Sequence, residues 1–402
     1  MSRPTTGALR AYGLFALAVI SVWWLAFISF REWFPTFPTA PVPSDFSLYF
    51  GAARILLAHG PQAIYSIGLQ HAQYVLIHPP KQPFDEQTIF VTPPPMAWLV
   101  ASLAWLPYSI AYWIWCLLIV GAYAAVGLIV VPGGRLQKVA VVLSGLATYL
   151  VLINIRYGQV AMLVGLATGL AWWLLRRGRP VLAGICLSFL FLKPQVAYLV
   201  PFALFLWGAR RLCVAWMASS AVWAVVSVVS LGVGGIALWR ADLGLENKNL
   251  GNQVWTPAIF VGSGNLATGI EVAAGALTLL IAWRLRSRAL AMPFVTALVG
   301  SVLASNYHHE PDYFALVVAF WLYLHCNPPR WQWVWLGFGC ATALLSGAWG
   351  PQPIIIFTAG WLLILGYEAL WGRAGALDPD LAPPQSRVRS APRPAMAPSP
   401  EA

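Results

Sequence analysis

Long apolar runs, separated by short polar segments, make up most of the 402-residue chain. A helix needs about 20 apolar residues to cross the hydrocarbon of a membrane, and many of the runs have about that length. Because the runs are continuous, they predict helices rather than alternating strands. We therefore expect an all-α polytopic membrane protein, a bundle of about 11–13 transmembrane helices. The approximate limits of the runs are 11–30, 92–107, 109–131, 139–155, 160–175, 180–192, 195–207, 213–233, 266–283, 289–304, 312–325, 331–346 and 352–371.

The composition indicates the same class of protein. Hydrophobic residues make up 59% of the chain and charged residues only 9%, with a mean hydropathy of +0.71. A soluble globular protein carries about 25% charged residues, so a cytosolic enzyme and a secreted scaffold are excluded. The net charge of +11 falls in short clusters between apolar runs, which indicates membrane orientation rather than a nucleic-acid partner.

The basic residues predict the topology, because cytoplasmic segments of membrane proteins are enriched in lysine and arginine. If all basic clusters are cytoplasmic, the segments from residue 109 onward alternate without conflict. Segment 92–107 then does not cross the membrane, because the segments on both sides of it lie on the outer face. Its opening Pro93-Pro94-Pro95 favours a re-entrant or interfacial helix. The alternative, in which 92–107 spans and the first two clusters lie outside, remains open. The clusters are Arg135 with Lys138, Arg176 to Arg179, Arg210 with Arg211, and Arg284 to Arg288.

Residues 1–372 are expected to form one multi-span membrane domain. Its longest outer segment is 31–91, in which Phe46 to His59 has apolar residues at helical spacing. This pattern predicts an amphipathic helix lying on the membrane surface. Residues 373–402 are rich in Pro, Ala, Ser and Arg and are expected to be a disordered cytoplasmic tail.

The search for a catalytic carboxylate is short, because the chain has only thirteen acidic residues. Asp45 lies where a proline-rich segment meets the predicted amphipathic helix, close to the membrane surface. A carboxylate at that point can act on a lipid-borne substrate from the aqueous side. The alternative is that Ser44 or Asp45 caps the helix by accepting hydrogen bonds from its first N–H groups.

Two further polar elements are predicted at the same depth. Lys193 lies between two apolar runs of about thirteen residues, so its turn is expected below the outer surface, in a cavity. A buried lysine is costly without an anion, which makes phosphate its natural partner. The alternative is a lysine that extends to the lipid headgroups. Arg156 to Gln159 forms an outer turn that offers a cation, a phenol and an amide.

The segment Asn306 to Asp312 gathers His308, His309 and Glu310 between two spans. These side chains suit phosphate or hydroxyl binding, and a plain polar loop is the alternative. A metal site is disfavoured, because ligands from one short turn rarely complete a coordination sphere and no HxxxH or HExxH helix is present. No divalent metal and no other cofactor is expected.

Together these elements resemble the membrane glycosyltransferases of glycosyltransferase family 87, which have the GT-C fold and use polyprenyl-phosphate sugars. The likeness covers most of residues 10–325. The chain departs from the family pattern at Val160-Ala161 and at Pro311-Asp312-Tyr313. The segments that resemble the family most closely are Asp45-Phe-Ser-Leu-Tyr49, Thr92 to Pro95 with Leu106-Pro107, Gly158-Gln159, and Ala183-Gly184 leading to Lys193-Pro194.

The resemblance implies a role for each candidate residue. Asp45 matches the general base that deprotonates the acceptor hydroxyl, with inversion at the anomeric carbon. Lys193, Arg156 and His308 or His309 would neutralise the leaving phosphate. Substrate contacts are also expected from Tyr49, Gln159 and Glu310.

The implied activity is transfer of a hexose, mannose-like, from a polyprenyl-phosphate donor to a lipid or glycan acceptor. It would take place among membrane lipids, on the outer face of the cytoplasmic (inner) membrane. Two other functions remain open from the sequence. A flippase or transporter of lipid-linked intermediates needs polar groups reachable from both faces. A membrane acyltransferase or a non-catalytic assembly subunit would tolerate loss of the Asp45 carboxylate.

Overall fold

The computed structural model describes residues 45–78, 84, 89–246 and 250–371, together with isolated helical positions between Gly13 and Phe27. Apart from those positions, the predicted first span at 11–30 lies outside the described residues, and so do residues 31–44 and the tail 373–402. Within the described residues every regular element is a helix, which confirms the all-α prediction.

The α-helices are numbered α1 to α16 in chain order, and short 3₁₀ helices connect several of them. They are α1 Asp45–His59, α2 Ile67–Ile77, α3 Pro95–Ala101, α4 Tyr108–Val130, α5 Arg135–Leu146, α6 Tyr149–Tyr157, α7 Ala161–Arg176, α8 Pro180–Leu187, α9 Leu199–Trp207, α10 Arg210–Glu246, α11 Ala258–Val261, α12 Asn265–Arg284, α13 Ala291–Leu303, α14 Phe314–Tyr323, α15 Gln332–Trp349 and α16 Gln352–Trp371.

Several of these helices are able to cross a membrane. By length and apolar composition, α4, α10, α12 and α16 qualify among the described residues. Helices α5 and α6 qualify together, as a pair bent by 68°. The chain is therefore a polytopic membrane protein. The count of 11–13 spans stays a prediction, because several apolar runs, such as those forming α7, α8 and α13, fold as shorter helices.

Two segments do not follow the simple pattern in which each apolar run is one membrane-spanning helix and each polar segment is a loop. Segment 92–107 contains only α3, whose seven residues are about 10 Å long. A helix of that length does not cross the hydrocarbon, which agrees with the non-spanning interpretation. Helix α10, by contrast, extends past the predicted run 213–233 to Glu246, and it consists of two helices that meet at a kink, where the backbone of Gly232 is not helical.

Helix α1 has the predicted limits, and its apolar face is buried against protein. Phe46, Phe50 and Ala53 are at most 1% exposed, and their neighbours are protein rather than lipid. The Phe46 ring stacks on Trp115 of α4 with centroids 5.7 Å apart. Aromatic side chains of α4 therefore cover the apolar face of α1, and the position of this helix at the membrane surface stays a prediction. Its burial fixes the position of Asp45, the first residue of the helix.

Gly158 makes this packing possible. It ends α6 in the left-handed conformation, with φ 66°, and its carbonyl accepts a hydrogen bond from Trp115 Nε1 at 2.7 Å. A Cβ at this position would lie 2.6 Å from Phe46 Cβ. The backbone at Gly158 and the first turn of α1 therefore fit together only without a side chain.

Gly158→Ala is expected to destabilise the protein by about 3 kcal/mol, from the left-handed backbone and overpacking together. Thermal unfolding of the purified variant in detergent measures the effect. Gly178→Ala is the matched control, because Gly178 has φ 70° but no atom within 4 Å of an added Cβ. Equal losses in the two variants would show that contact with Phe46 contributes nothing.

Candidate active site

A cavity of about 320 Å³ opens at the start of α1. This volume lies at the lower end of the range for small-molecule sites, about 300–1,000 Å³. Two carboxylates and three aromatic rings are among its lining residues. The lining residues are Asp45, Tyr157, Gly251, Val254, Trp255, His309, Glu310 and Pro311.

Asp45 is half-buried at the rim of the cavity. Burial raises its pKa to about 6, the positive charge of Lys193 lowers it, and the negative charges of Asp312 and Glu246 raise it. None of the described residues forms a hydrogen bond or ion pair with this carboxylate. Asp45 is therefore mostly ionised at neutral pH and has its oxygens available to take up a proton.

Lys193 is buried close to the cavity, and the anion that it contacts is a carboxylate of the protein, Asp312. The residue is 7% exposed and lies between two 3₁₀ helices, Ser188–Leu192 and Pro194–Val196. Its Nζ lies 2.6 Å from Asp312 Oδ1 and donates to Gln159 Oε1 at 2.7 Å. Tyr49 also donates to Gln159 Oε1, at 3.3 Å. The charge of Lys193 is thus balanced inside the protein.

Asp312 is completely buried and receives contacts from three sides. Besides Lys193, its carboxylate accepts a hydrogen bond from the His309 backbone N–H at 3.2 Å and contacts His308 Nδ1 at 3.4 Å. Burial alone would raise its pKa, but Lys193, His308 and His309 together hold the pKa of this carboxyl well below its usual range. Asp312 is therefore a permanent anion and a poor proton acceptor.

His308 and His309 point to different environments. His308 is fully buried, and its Nε2 contacts the Ser301 carbonyl at 3.3 Å, so it lies behind Asp312 and does not line the cavity. His309 lines the cavity, and its Nε2 lies 3.2 Å from the Tyr307 hydroxyl. Burial lowers the pKa of His309 to about 4, so its ring is neutral at physiological pH.

Glu310 is the second carboxylate on the cavity wall. Tyr149 donates a hydrogen bond to its Oε2 at 3.0 Å. Burial raises the Glu310 pKa, while the bond from Tyr149 and the charge of Arg156 lower it. Arg156 is half-buried and forms no ion pair with a described residue, so its charge remains available at this edge of the site.

The structure brings most of the sequence-predicted site residues into one place. Asp45, His309 and Glu310 line the cavity, Tyr49, Gln159 and Lys193 form a hydrogen-bonded group close to them, and His308 is set back. Sequence reasoning missed Asp312, Tyr307, Glu246 and Trp255. Only Asp312 had a usable signal, since a buried lysine requires a buried acid.

The described residues contain no group of three or more His, Cys, Asp or Glu side chains placed to hold a metal ion. The expectation that no divalent metal takes part stays a prediction.

The fold and this carboxylate-containing cavity define a polytopic membrane protein with one candidate active site among the described residues. The model of glycosyltransferase family 87 matches residues 90–306, just over half of the chain. The chain therefore belongs to glycosyltransferase family 87 and is a glycosyltransferase. The matched range contains Arg156, Gln159 and Lys193, whereas Asp45 and residues 308–312 lie outside it. Neither a curated protein nor a solved structure matches the chain.

Proposed function

We propose that this glycosyltransferase moves a hexose, mannose-like, from a polyprenyl-phosphate donor to a lipid or glycan acceptor, with inversion. The observation that carries the proposal is the state of Asp45. It is a cavity carboxylate with a pKa raised to about 6 and no described internal partner, whereas Asp312 is locked in a buried ion pair. One group therefore has the properties of a general base.

The proposed step needs only that base. Asp45 takes the proton from an acceptor hydroxyl as the hydroxyl oxygen attacks the anomeric carbon of the donor. The bond from the anomeric carbon to the phosphate oxygen breaks on the opposite face, and the phosphate leaves with the electron pair. Because this leaving group is already ionised, no general acid is required. Glu310 is proposed to accept hydrogen bonds from sugar hydroxyls.

The contacts distinguish the residues assigned to phosphate by the family resemblance. Lys193 is neutralised by Asp312 at 2.6 Å, and His309 is neutral. Arg156 is the one whose charge no described ion pair cancels, so we assign it to the leaving phosphate. Lys193 instead acts through Asp45, since its charge favours the ionised form of that carboxyl.

An outward-facing site in the cytoplasmic membrane is part of the proposal. Helix α7 begins two residues after Gln159 and contains sixteen residues, so its end at Arg176 is about 24 Å away. The basic end carries Arg177 stacked on Trp173 at 4.1 Å, as at a membrane interface. The arginine cluster and the cavity therefore lie at opposite ends of this helix, which supports an outer cavity if arginines are cytoplasmic.

A donor panel tests the activity. Purified protein in liposomes is given polyprenyl-phosphate hexoses or nucleotide hexoses, each radiolabelled, with membrane-lipid extract as acceptor. Transfer from a polyprenyl-phosphate hexose supports the proposal, and transfer from nucleotide sugars alone overturns it. A parallel assay follows movement of the labelled lipid across the bilayer. Movement without any transfer would instead support the flippase alternative.

Transfer is expected to weaken as the pH falls through about 6. Asp45 works as a base only when ionised, so kcat/KM should drop about tenfold for each pH unit below its pKa. His309 is already neutral and adds no titration step above pH 5. Initial rates at low substrate concentration, between about pH 5 and 8, measure the profile. A flat profile over this range would exclude Asp45 as the base.

A further inference from the structure

Three side chains form a hydrogen-bonded chain behind the cavity wall. His309 Nε2 lies 3.2 Å from the Tyr307 hydroxyl, and Tyr307 donates to Glu246 Oε1 at 3.4 Å. Glu246 is 7% exposed and Tyr307 is half-buried. Only His309 reaches the cavity. We refer to Glu246, Tyr307 and His309 as the Glu246 relay.

The direction of each hydrogen bond in the relay follows from its chemistry. A carboxylate only accepts, so the single Tyr307 proton points to Glu246. Burial and the nearby carboxylates raise the pKa of Tyr307 well above its usual value, which keeps that proton in place. The Tyr307 oxygen must then accept a hydrogen bond, and His309 Nε2–H is the group that faces it.

The other side of the His309 ring is occupied as well. In a reciprocal capping box, the Asp312 backbone N–H is shared between the His309 carbonyl, at 3.0 Å, and the His309 side chain, while the Asp312 carboxylate accepts from the His309 backbone N–H. Because Nε2 faces Tyr307, the accepting atom is Nδ1. Both nitrogens are therefore used within the protein, and the neutral Nε2–H tautomer satisfies both partners.

We propose that Glu246, acting through Tyr307, fixes this tautomer of His309 and thereby holds the 309–312 turn that aims Asp312 at Lys193. Glu246 and Tyr307 are positioning residues: neither lines the cavity, and both act through His309. The inference rests on the proposed function, because the turn affects transfer only through Asp45, the proposed base, whose ionisation is favoured by Lys193.

The position of Glu246 is itself set by the bend in α10. After Gly232, the helix passes the 3₁₀ turn Pro61–Ala63, where a Cβ at Gly235 would lie 3.1 Å from the Gln62 carbonyl. Trp239 then stacks on Tyr65 at 5.6 Å and donates to the Val91 carbonyl at 2.9 Å. These contacts fix the last turns of α10, which end at Glu246.

Removing the acceptor at position 246 has a specific consequence. In Glu246→Ala, the Tyr307 proton is free to turn toward His309 Nε2. The histidine then adopts the Nδ1–H tautomer, whose donor faces the Asp312 N–H donor, and the 309–312 turn loosens. Glu246→Gln keeps an oxygen that accepts from Tyr307, although the charge is lost. Since both variants remove the charge that raises the Asp45 pKa, the difference between them does not come from that charge.

The functional test compares the two variants at about pH 7.5, well above the Asp45 pKa of about 6. Glu246→Ala is expected to lower the transfer rate about tenfold, the equivalent of one buried hydrogen bond. Glu246→Gln is expected to recover most of that loss, and Tyr307→Phe to match Glu246→Ala. Tyr367→Phe, at a half-exposed residue on α16, is the control. Equal rates for Glu246→Ala and Glu246→Gln would overturn the proposal.

Nitrogen NMR of wild-type protein labelled with ¹⁵N-histidine tests the tautomer without relying on activity. The His309 signals are identified by their absence from a His309→Asn variant. We expect the neutral Nε2–H pattern in wild type and in Glu246→Gln, and loss of that pattern in Glu246→Ala. A charged ring or the Nδ1–H tautomer in wild type overturns the proposal. Failure of the transfer assay alone, with the expected tautomer present, would instead reject the proposed function.

Discussion

Asp45→Asn is expected to lower the transfer rate about 10³-fold, within the range typical of a lost general base. The amide has nearly the same shape as the carboxylate but does not take up a proton at neutral pH. Because none of the described residues bonds to the Asp45 side chain, the folded structure should change little. Single-turnover transfer from the donor identified by the panel measures the chemical step directly.

Asp242→Asn is the matched control for this substitution. Asp242 is also a carboxylate buried in the protein. Its Oδ2 accepts a hydrogen bond from Gln70 at 3.2 Å. An asparagine oxygen keeps that bond, and Asp242 does not line the cavity. Wild-type rates are expected from Asp242→Asn. Wild-type rates from Asp45→Asn would exclude Asp45 as the base and leave Glu310 as the candidate.

Lys193→Met is expected to destabilise the protein by about 3–5 kcal/mol, because it leaves the buried Asp312 carboxylate without its cation. It also removes the positive charge that lowers the Asp45 pKa, so the acid limb of the pH profile should move to higher pH. Thermal unfolding in detergent and the pH dependence of transfer measure the two effects.

The double variant Lys193→Met/Asp312→Leu separates stability from catalysis. Replacing both members of a buried ion pair by apolar residues is often neutral or stabilising, so most of the lost stability should return. The acid limb of its pH profile should lie between those of Lys193→Met and the wild type, because the double variant removes the negative charge that raises the Asp45 pKa together with the positive charge that lowers it. An acid limb that is unchanged in Lys193→Met alone would show that Lys193 has no electrostatic effect on the base.

Much of the fold could be predicted from the apolar pattern, and the exceptions have physical reasons. Helix α1 begins and ends where its spacing indicated, yet the pattern does not say whether protein or lipid covers its apolar face. The predicted run ends at residue 233, but after the kink at Gly232 a second helix continues to Glu246, where Trp239 packs on Tyr65. Such contacts come from residues distant in sequence.

Some residues of the candidate site could be predicted from the sequence, but their contacts could not. Asp45 could be selected from its place at the start of a predicted helix, and Lys193 from the cost of burying a lysine. The partner of Lys193 could not, because the ion pair with Asp312 joins segments far apart in the chain. Nor does the sequence reveal that His308 and His309, although adjacent, face a buried carbonyl and the cavity respectively.

The stereochemistry of the new glycosidic bond tests the central claim most directly. The donor is a polyprenyl-phosphate hexose of known anomeric configuration, and NMR of the product reports the configuration formed by the wild-type enzyme. A single base at Asp45 predicts complete inversion. Retention would require a covalent intermediate on a cavity carboxylate and would contradict the account, since neither Asp45 nor Glu310 would then act as proposed.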